Sequence, residues 1–360
     1  MAPGRFQANE LAEPIVLAPM AGGPSTPALA AAVSGAGGLG FLGGGYMTPS
    51  ALATDVARTR ELTHAPFGVN LFVPGLPAKN RTDLDAYAAR LEGEYGSAGL
   101  PLPSARWDDD GWAQKLASLL DDPVAVVSFT FGCPSGEVIR TLKDAGSAVW
   151  VTVTDVDEAA IAVRAGADAL VAQGIEAGGH RASFTDREVG GDLGLLALLR
   201  LLANASGAPL VAAGGIADGP GIAAVLAAGA VAAQIGTGFL RCPESGRSAV
   251  HEEALQQDRA TTLTRAFTGR RARGLLNRFI VEHEKDAISA YPEVHYLTAP
   301  LRAAAREAKN PELVNLWAGQ AYPLARAVPA ADLVHELGAS CRRTLVEVAV
   351  TFTSPHDTQP

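Results

Sequence analysis

The chain has 360 residues, of which 48% are apolar and only 6% aromatic, and its formal net charge is −9. This length and composition predict one or two domains with a core built mainly from Ala, Val, Leu and Ile. The acidic balance argues against nucleic acid or an anionic membrane as a partner, because both bind clusters of Lys and Arg. The 39 glycines follow no repeat, which excludes a collagen-like or low-complexity chain.

The cysteines and the N-terminal segment bear on metal binding and location. Cys133, Cys242 and Cys341 lie far apart without the spacing of a metal site, so neither a metal ion nor a disulfide framework is expected. Residues 1–13 lack the basic and apolar pattern of a leader, and Gly, Asp or Arg interrupts every apolar run. We therefore expect a cytoplasmic protein without a membrane partner. A homo-oligomer is an alternative to a monomer.

Strands and helices alternate along the first 257 residues. Short apolar runs predict strands at 15–19, 39–42, 67–72, 124–129, 148–153, 169–173, 210–213 and 231–235. Continuously apolar strands indicate a parallel sheet covered on both faces. Eight of them, with helices between, predict an α/β TIM (β/α)8 barrel over residues 1–257. A doubly wound open sheet is the alternative, but its glycine fingerprint after the first strand is missing.

Two segments depart from this alternation. Residues 76–110 are rich in Pro, Gly and charge, and they predict an excursion over one mouth of the barrel. Residues 258–360 are mixed and charged, with predicted helices near 279–289, 301–308 and 330–351. We expect this second segment to be a smaller, helical, lid-like portion packed on the barrel, because no linker separates it from the rest.

The loop after the sixth strand is a candidate site. The apolar run 169–172 predicts a strand that ends at Gln173, and Gly178 and Gly179 let the backbone approach a bound ligand. His180 follows at once, so its imidazole is expected to face the same space as the Gln173 amide. Such a loop suits a cofactor site with a catalytic base, although many glycine-rich loops only turn the chain.

Two glycine turns follow the last two strands of the predicted barrel. Gly214 and Gly215 come after the seventh strand, and Gly236 with Thr237 comes after the eighth. Asp218 is the predicted N-cap of the helix between these turns. Exposed N–H groups at two adjacent strand ends make a cradle for one phosphate group, as in barrels whose cofactor phosphate lies beyond strands seven and eight. Two tight turns without a ligand are the alternative.

The C-terminal segment leaves several interpretations open. Its basic stretch, residues 265–278, forms either a salt-bridged, solvated face or a rim that attracts an anionic substrate or a cofactor phosphate. Tyr291 and Trp317 either wall a pocket or pack in the ordinary way. Surface or packing roles are expected for the remaining histidines of the chain, which are His64, His251, His283, His295, His335 and His356.

Several motifs together resemble one family. They are LAPMAGGPSTPALAAAVSGAGGLGFLG, FGVNLF, VSFTFGCP, EAGGH, AAGGIADG, QIGTGFL and NLWAGQ, in that order over residues 11–325. The ensemble is similar to the class I nitronate monooxygenases, formerly called 2-nitropropane dioxygenases. This resemblance implies an FMN-dependent TIM barrel that oxidises alkyl nitronates with molecular oxygen, propionate 3-nitronate being the usual candidate substrate. The implied partners are a small nitronate or nitroalkane and O2.

The resemblance also implies roles for individual residues. Met20 and Asn70 would contact the region of the flavin ring, Gln173 a polar edge of the flavin, and Gly178 would lie in the loop beside it. His180 corresponds to the active-site histidine of the family. The positions implied for the phosphate are Gly215 and the run Gln234, Ile235, Gly236 and Thr237. Thr130 is a departure, because a histidine is frequent at this position in the family.

Two roles are open for the imidazole of His180, and two other functions are open for the protein. An imidazole that titrates near neutrality either takes the α-proton of a nitroalkane or, once protonated, holds an anionic nitronate. One alternative function is an FMN-dependent NAD(P)H reductase of the enoyl-acyl-carrier-protein or quinone type, whose members share the EAGGH and AAGGIADG motifs. Another is a non-catalytic flavin- or phosphate-binding barrel, against which stands a titrating group beside the expected ring site.

Overall fold

The computed structural model describes residues 5–186 and 192–353, and its main feature is a parallel sheet of eight strands. A second, smaller sheet contributes three further strands. In chain order the strands of both sheets are β1 (Ile15–Leu17), β2 (Gly40–Gly43), β3 (Phe67–Phe72), β4 (Val126–Thr130), β5 (Ala148–Val153), β6 (Ala169–Gln173), β7 (Gly179–His180), β8 (Leu210–Ala213), β9 (Ala232–Ile235), β10 (Thr261–Thr264) and β11 (Ala272–Leu275). The large sheet has the spatial order β1-β9-β8-β6-β5-β4-β3-β2, and β10, β11 and β7 form a small second sheet.

The large sheet closes on itself through β1. On one side Ile15 pairs with Ala233 of β9. On the other side Val16 forms a parallel bridge to Leu39, just before β2, and the N–H of Leu17 donates to the Leu39 carbonyl at 2.9 Å. The predicted TIM barrel is therefore confirmed, and the open doubly wound sheet is excluded. Each predicted barrel strand lies within two residues of the observed one.

Helices cover the outside of the barrel and the loops at its mouth. They are α1 (Pro27–Gly35), α2 (Pro49–Leu62), α3 (Arg81–Arg90), α4 (Glu92–Ser97), α5 (Trp112–Asp121), α6 (Gly136–Asp144), α7 (Val156–Ala165), α8 (Leu195–Ala205), α9 (Gly219–Ala227), α10 (Thr237–Leu240), α11 (Ala249–Leu255), α12 (Arg278–His283), α13 (Glu293–Glu307) and α14 (Ala330–Thr353). The predicted cap of α9 is confirmed, because the Asp218 carboxylate accepts from the N–H of Gly221 at 2.8 Å.

The interior of the barrel is filled by side chains. Trp150 is buried at its centre, with its ring 5.7 Å from that of Phe41 and 6.3 Å from that of Phe6. Phe6 belongs to the N-terminal segment and packs with the interior residues Val16 and Val211. Since the barrel is packed rather than hollow, a ligand has room only at its mouth.

The excursion and the C-terminal segment share a core of their own. Tyr87 and Tyr95, in α3 and α4, are buried against Phe267, Phe279 and neighbouring apolar residues. The Tyr87 hydroxyl donates to the carbonyl of Ala266 at 2.6 Å. The two segments that interrupted the predicted alternation therefore pack on each other.

The last helix lies on the barrel wall. α14 packs against α9 and α1 on the outer face of the barrel. A Cβ atom on Gly219 would lie 2.4 Å from the Cβ of Ser340, so α9 and α14 are in close contact.

The division of the chain at residue 257 stays a prediction. Among the described residues, none of the helices combines the length and the apolar character needed to cross a bilayer.

Candidate active site

A cavity of about 490 Å³ lies at the carboxyl ends of the barrel strands. This end of a parallel barrel carries the loops that hold catalytic groups. Eleven of the twelve predicted site residues line the cavity, and they are Met20, Asn70, Gln173, Gly178, Gly179, His180, Gly214, Gly215, Gln234, Gly236 and Thr237. Residues separated by more than 200 positions in the chain thus meet in one space.

Ile235 is the predicted residue that does not line the cavity. Its side chain is buried in the core between the strands and the outer helices. Successive side chains of a strand point to opposite faces, so Gln234 faces the cavity and Ile235 faces away. Only the main chain of Ile235 is placed near the mouth, where its carbonyl accepts from the N–H of Ala18 at 2.9 Å.

The turns after β8 and β9 form one side of the cavity, which we call the glycine side (Gly214, Gly215, Gly236 and Thr237). Gly214 and Gly215 have φ of +117° and +68°, in the left-handed region that favours glycine. A Cβ atom on Gly215 would lie 3.1 Å from the Cβ of Glu176. The Thr237 hydroxyl accepts from the N–H of Gly319 at 3.0 Å, which leaves its own hydrogen for a ligand. The glycine side thus offers a bare main chain and one hydroxyl.

Asn70 and Gln173 use their amides differently. The Asn70 side-chain nitrogen donates to the hydroxyls of Ser128 at 2.9 Å and Thr130 at 3.0 Å, which leaves its oxygen for a ligand. The Gln173 nitrogen donates to the carbonyl of His180 at 3.0 Å, and its oxygen accepts from the N–H of Ala182 at 2.9 Å. Gln173 therefore holds the loop that carries His180, and one N–H of its amide remains for a ligand.

His180 stands among aromatic rings and is oriented by a hydroxyl. Its ring centroid lies 5.6 Å from those of Phe131, Tyr291 and Trp317. Its Nε2 lies 3.0 Å from the Thr268 hydroxyl, which itself donates to the carbonyl of Arg270 at 3.1 Å. Since the hydroxyl hydrogen is used there, Thr268 accepts from Nε2–H, and the lone pair of the neutral imidazole is on Nδ1.

The loop of His180 is also tied to the C-terminal segment by main-chain pairing. His180 and Gly179, which form β7, pair with Ala272 and Arg273 of β11. A Cβ atom on Gly178 would lie 2.5 Å from the main-chain nitrogen of Gly319, so glycine is required for this close approach. The imidazole is therefore held by contacts that span more than 90 residues of sequence.

The electrostatic environment keeps His180 neutral. Burial lowers the pKa of His180 to about 3, and the charges of Arg270 and Arg302 act in the same direction. The sequence predicts titration near neutrality, and the lower pKa comes first from burial among the surrounding rings and then from these two guanidinium groups. An imidazole with this pKa carries no charge at physiological pH.

Two buried arginines bring positive charge to this part of the cavity. The Arg270 guanidinium lies 4.2 Å from the ring centroid of Phe131 and donates to the carbonyls of Arg181 and Ser183. Arg302 donates to the Thr298 hydroxyl at 3.0 Å and to other neutral groups, among them the His295 carbonyl and the Asn315 amide oxygen. The hydrogen bonds described for the two guanidiniums thus involve neutral partners, and an anion would be stabilised nearby.

The basic stretch 265–278 turns out to be heterogeneous. Arg265 pairs with Asp186 at 2.8 Å and Arg271 with Asp192 at 2.8 Å, as the interpretation of a salt-bridged face predicts. Arg270, by contrast, is buried beside the cavity. Periodicity alone did not separate the paired arginines from the buried one.

Three aromatic residues that line the cavity, Tyr46, Phe72 and Phe131, were missed by the sequence interpretation. Tyr46 and Phe131 follow β2 and β4 closely, and both adopt the left-handed backbone, with φ of 67° and 73°. The Tyr291 hydroxyl donates to the Tyr46 hydroxyl at 2.9 Å. We call Tyr46, Phe131, His180 and Trp317 the aromatic side of the cavity. Tyr291 packs against Phe131 and His180 but is not part of the lining. An aromatic residue just after a predicted barrel strand was the available signal.

A buried ion pair fixes Tyr46 in its unusual conformation. The Asp110 carboxylate accepts from the N–H of Tyr46 at 2.9 Å and pairs with the Lys115 ammonium at 2.8 Å. Lys115 is only 1% exposed and also donates to the carbonyl of Gly44. The Tyr46 ring stacks on His295, with centroids 3.9 Å apart. His295 is thus in packing, as expected, whereas His251 lines the cavity, which was not expected.

Comparisons with known proteins agree over nearly the whole chain. The sequence profile of the family described as nitronate monooxygenase matches residues 6–340. A nitronate monooxygenase from Pseudomonas aeruginosa is 45% identical over 352 residues, which cover 93% of this chain and 95% of that protein. The nitroalkane oxidase from Streptomyces ansochromogenes has a similar structure, with a TM-score of 0.92 at 48% identity, covering 95% of this chain and 99% of that one.

A more distant structural similarity is also present. FabK from Thermotoga maritima matches with a TM-score of 0.74 at 28% identity, covering 95% of this chain and 96% of that one. All of these matches include both the barrel and the C-terminal segment that carries Tyr291 and Trp317. The cavity described above therefore lies within the region that the chain shares with each of them.

Proposed function

The chain belongs to the nitronate monooxygenase family, as its motifs predicted, and is an oxidoreductase; on that premise we propose that it oxidises alkyl nitronates with molecular oxygen and depends on FMN. Propionate 3-nitronate is the substrate we expect. The observation that carries this proposal is the position of a neutral imidazole beside two buried guanidinium groups, in the cavity whose opposite side is built from glycine turns.

The residues present fit FMN. A phosphate needs N–H donors that no side chain covers, and Gly214, Gly215 and Gly236 leave the main chain bare beside the Thr237 hydroxyl. The ring needs polar partners at its edge, which the oxygen of Asn70 and one N–H of Gln173 supply. When bound, FMN accepts electrons from the substrate and passes them to dioxygen.

The charge of the aromatic side suits an anionic substrate. A nitronate carries one negative charge, and Arg270 and Arg302 provide positive charge there while their hydrogen bonds go to neutral partners. His180 stays neutral, so the charge of the two guanidinium groups, which lie behind the cavity lining, rather than the imidazole attracts the anion. Burial strengthens this attraction, because little water screens it.

His180 retains a role as an acceptor. With Nε2–H donated to Thr268, its Nδ1 lone pair can accept a hydrogen bond or take a proton. A nitronate has already lost its α-proton and requires no base. A neutral nitroalkane requires one, and the imidazolium formed in that step would be stabilised by the nitronate formed beside it. The role of His180 thus depends on which form of substrate enters.

An oxygen electrode tests the proposal. Purified protein should show the absorbance of bound flavin, and it should consume oxygen when propionate 3-nitronate is added. The same preparation should not be bleached by NADH or NADPH in the absence of a nitronate. A colourless protein that cannot be reconstituted with FMN would refute the cofactor. Rapid bleaching by NAD(P)H with quinone reduction, and no oxygen uptake with nitronate, would establish the reductase alternative instead.

A further inference from the structure

His251 carries a buried nitrogen atom without a partner. Among the buried side-chain polar atoms of residues 5–186 and 192–353, His251 Nε2 and Glu293 Oε2 have no hydrogen bond. Glu293 is not part of the cavity lining, but His251 is. The His251 side chain, in α11, is only 8% exposed. An orphaned polar atom of this kind is costly unless a bound molecule completes its hydrogen bonding.

The tautomer of His251 defines what this atom can bind. Burial lowers the pKa of His251 to about 4, while a hydrogen bond to the main chain of Trp317 acts in the opposite direction. A hydrogen bond that favours the protonated ring is one that the ring donates, and Nε2 has no partner, so Nδ1–H is the donor. Nε2 therefore presents a lone pair, which can accept a hydrogen bond but cannot donate one.

His251 contacts the segment that connects the two sides of the cavity. The segment 317–319 connects them, since the Trp317 ring contacts His180 and the N–H of Gly319 donates to the Thr237 hydroxyl. His251 contacts this segment at the main chain of Trp317. An extended ligand with its phosphate at the glycine side and its ring toward Asn70 would pass this nitrogen with its middle portion.

On the basis of the FMN dependence proposed above, we infer that His251 accepts, through Nε2, a hydrogen bond from a hydroxyl group of the ribityl chain of the cofactor. A phosphate dianion has no hydrogen to donate, and Asn70 and Gln173 serve the edge of the ring. The ribityl hydroxyls are donors, and they link the ring to the phosphate. His251 is thus a cofactor-binding residue that also selects for a polyol chain.

Three flavins and two variants test this role. Lumiflavin has the ring alone, riboflavin adds the ribityl chain, and FMN adds the phosphate. His251→Leu removes the acceptor at similar size, and His251→Gln places an amide oxygen near the position of Nε2. Flavin-free protein of each variant is titrated with each flavin, and the quenching of flavin fluorescence gives Kd.

We expect His251→Leu to weaken riboflavin and FMN alike, by about five- to tenfold, the range for one neutral hydrogen bond. Lumiflavin binding should change by less than about twofold, and His251→Gln should restore most of the affinity. The flavin-free Leu variant should melt within about 2 °C of the parent, because removal of the unsatisfied Nε2 offsets the loss of the hydrogen bond to the main chain of Trp317. A melting temperature that is kept while riboflavin and FMN affinity falls distinguishes a ligand contact from a role in holding the fold.

Other outcomes overturn the inference. Loss of FMN affinity alone would move the contact to the phosphate, and equal loss for all three flavins with a lower melting temperature would make His251 structural. Unchanged affinities would mean that the atom meets only water. Failure of the parent protein to bind any flavin would refute the proposed cofactor itself, and that result appears in a different arm of the experiment.

Discussion

The glycine side and the aromatic side of the cavity are built in opposite ways. The glycine side comes from the turns after β8 and β9, which are neighbours in the sheet and lie within 24 residues of sequence, Gly214 to Thr237. The aromatic side gathers four residues from four distant segments, between Tyr46 and Trp317. In the closed sheet β8 and β9 lie across the barrel from β3 and β4. A binding surface made of main chain can come from one short stretch of sequence, whereas a set of side chains has to be brought together from distant segments by folding.

The two sides should therefore respond differently to substitution. At the glycine side the functional groups other than the Thr237 hydroxyl belong to the backbone, so only added atoms or strain can remove them. At the aromatic side the functional groups are side chains, so truncation removes them and leaves the cofactor in place. Four predictions separate the two sides, and each concerns a residue whose contacts are described above.

The largest effect is expected from His180→Ala. Its kcat/KM for a neutral nitroalkane should fall about 1000-fold, since the positioned base is lost, while bound flavin is retained. Oxygen uptake and flavin absorbance are measured on the same preparation. His335→Ala, at an exposed position of α14, is the matched control. Undiminished oxygen uptake in His180→Ala would end its catalytic assignment.

Gly215→Val should show the converse behaviour. The added atoms meet Glu176 and the left-handed backbone is strained, so FMN affinity should fall about 100-fold, with a smaller loss for riboflavin, which lacks the phosphate. Gly207→Val is the control, because Gly207 also has a positive φ but has open space around it. If both variants lose FMN equally, backbone strain rather than the cradle explains the loss.

The pH dependence of stability tests the buried histidines. Burial lowers the pKa of His180 to about 3 and that of His295 well below its ordinary value of 6.5. In the unfolded chain these rings take up protons near pH 6.5, so their contribution is present above that pH and is lost as the pH falls. Urea unfolding should give a stability lower by about 2 kcal/mol at pH 5 than at pH 7 for each such histidine.

A variant assigns part of this pH effect to His295, whose ring stacks on Tyr46 of the aromatic side. His295→Gln removes one of the titrating rings, so the loss of stability between pH 7 and pH 5 should be smaller than in the parent protein. The glycine side contains no titratable group among its four residues, and Gly215→Val should keep the slope of the parent. An unchanged slope in His295→Gln would show that the ring is already protonated or hydrated in the folded state.

The smallest effect is expected from Thr268→Val. The hydroxyl that accepts from His180 Nε2 is lost, so the imidazole no longer has one preferred tautomer and turnover should fall about tenfold. Thr59→Val is the matched control, since that buried hydroxyl donates to the Asp55 carbonyl on the outer face of the barrel. Equal turnover in the two variants would mean that Thr268 does not orient His180.

Local sequence patterns predicted most of the barrel. Apolar runs placed the eight strands within two residues, because a strand covered on both faces must be apolar throughout. The glycine turns were found for a related reason, since a chain that reverses tightly or meets a ligand closely requires glycine at those positions. The side chain of Ile235 does not line the cavity because side chains alternate along a strand, and its neighbour Gln234 takes the inward position.

The sequence by itself determined the barrel, the glycine turns after its last two strands and the position of His180 on the loop after β6, because these depend on periodicity and turn chemistry within short stretches. Only the tertiary structure decided that His180 is neutral, that Arg270 is buried beside it and that His251 faces the cavity. Those properties arise where the C-terminal segment contacts the loop of His180 and the helix of His251. Burial and charge at a side chain are set by neighbours distant in sequence, and no local pattern contains them.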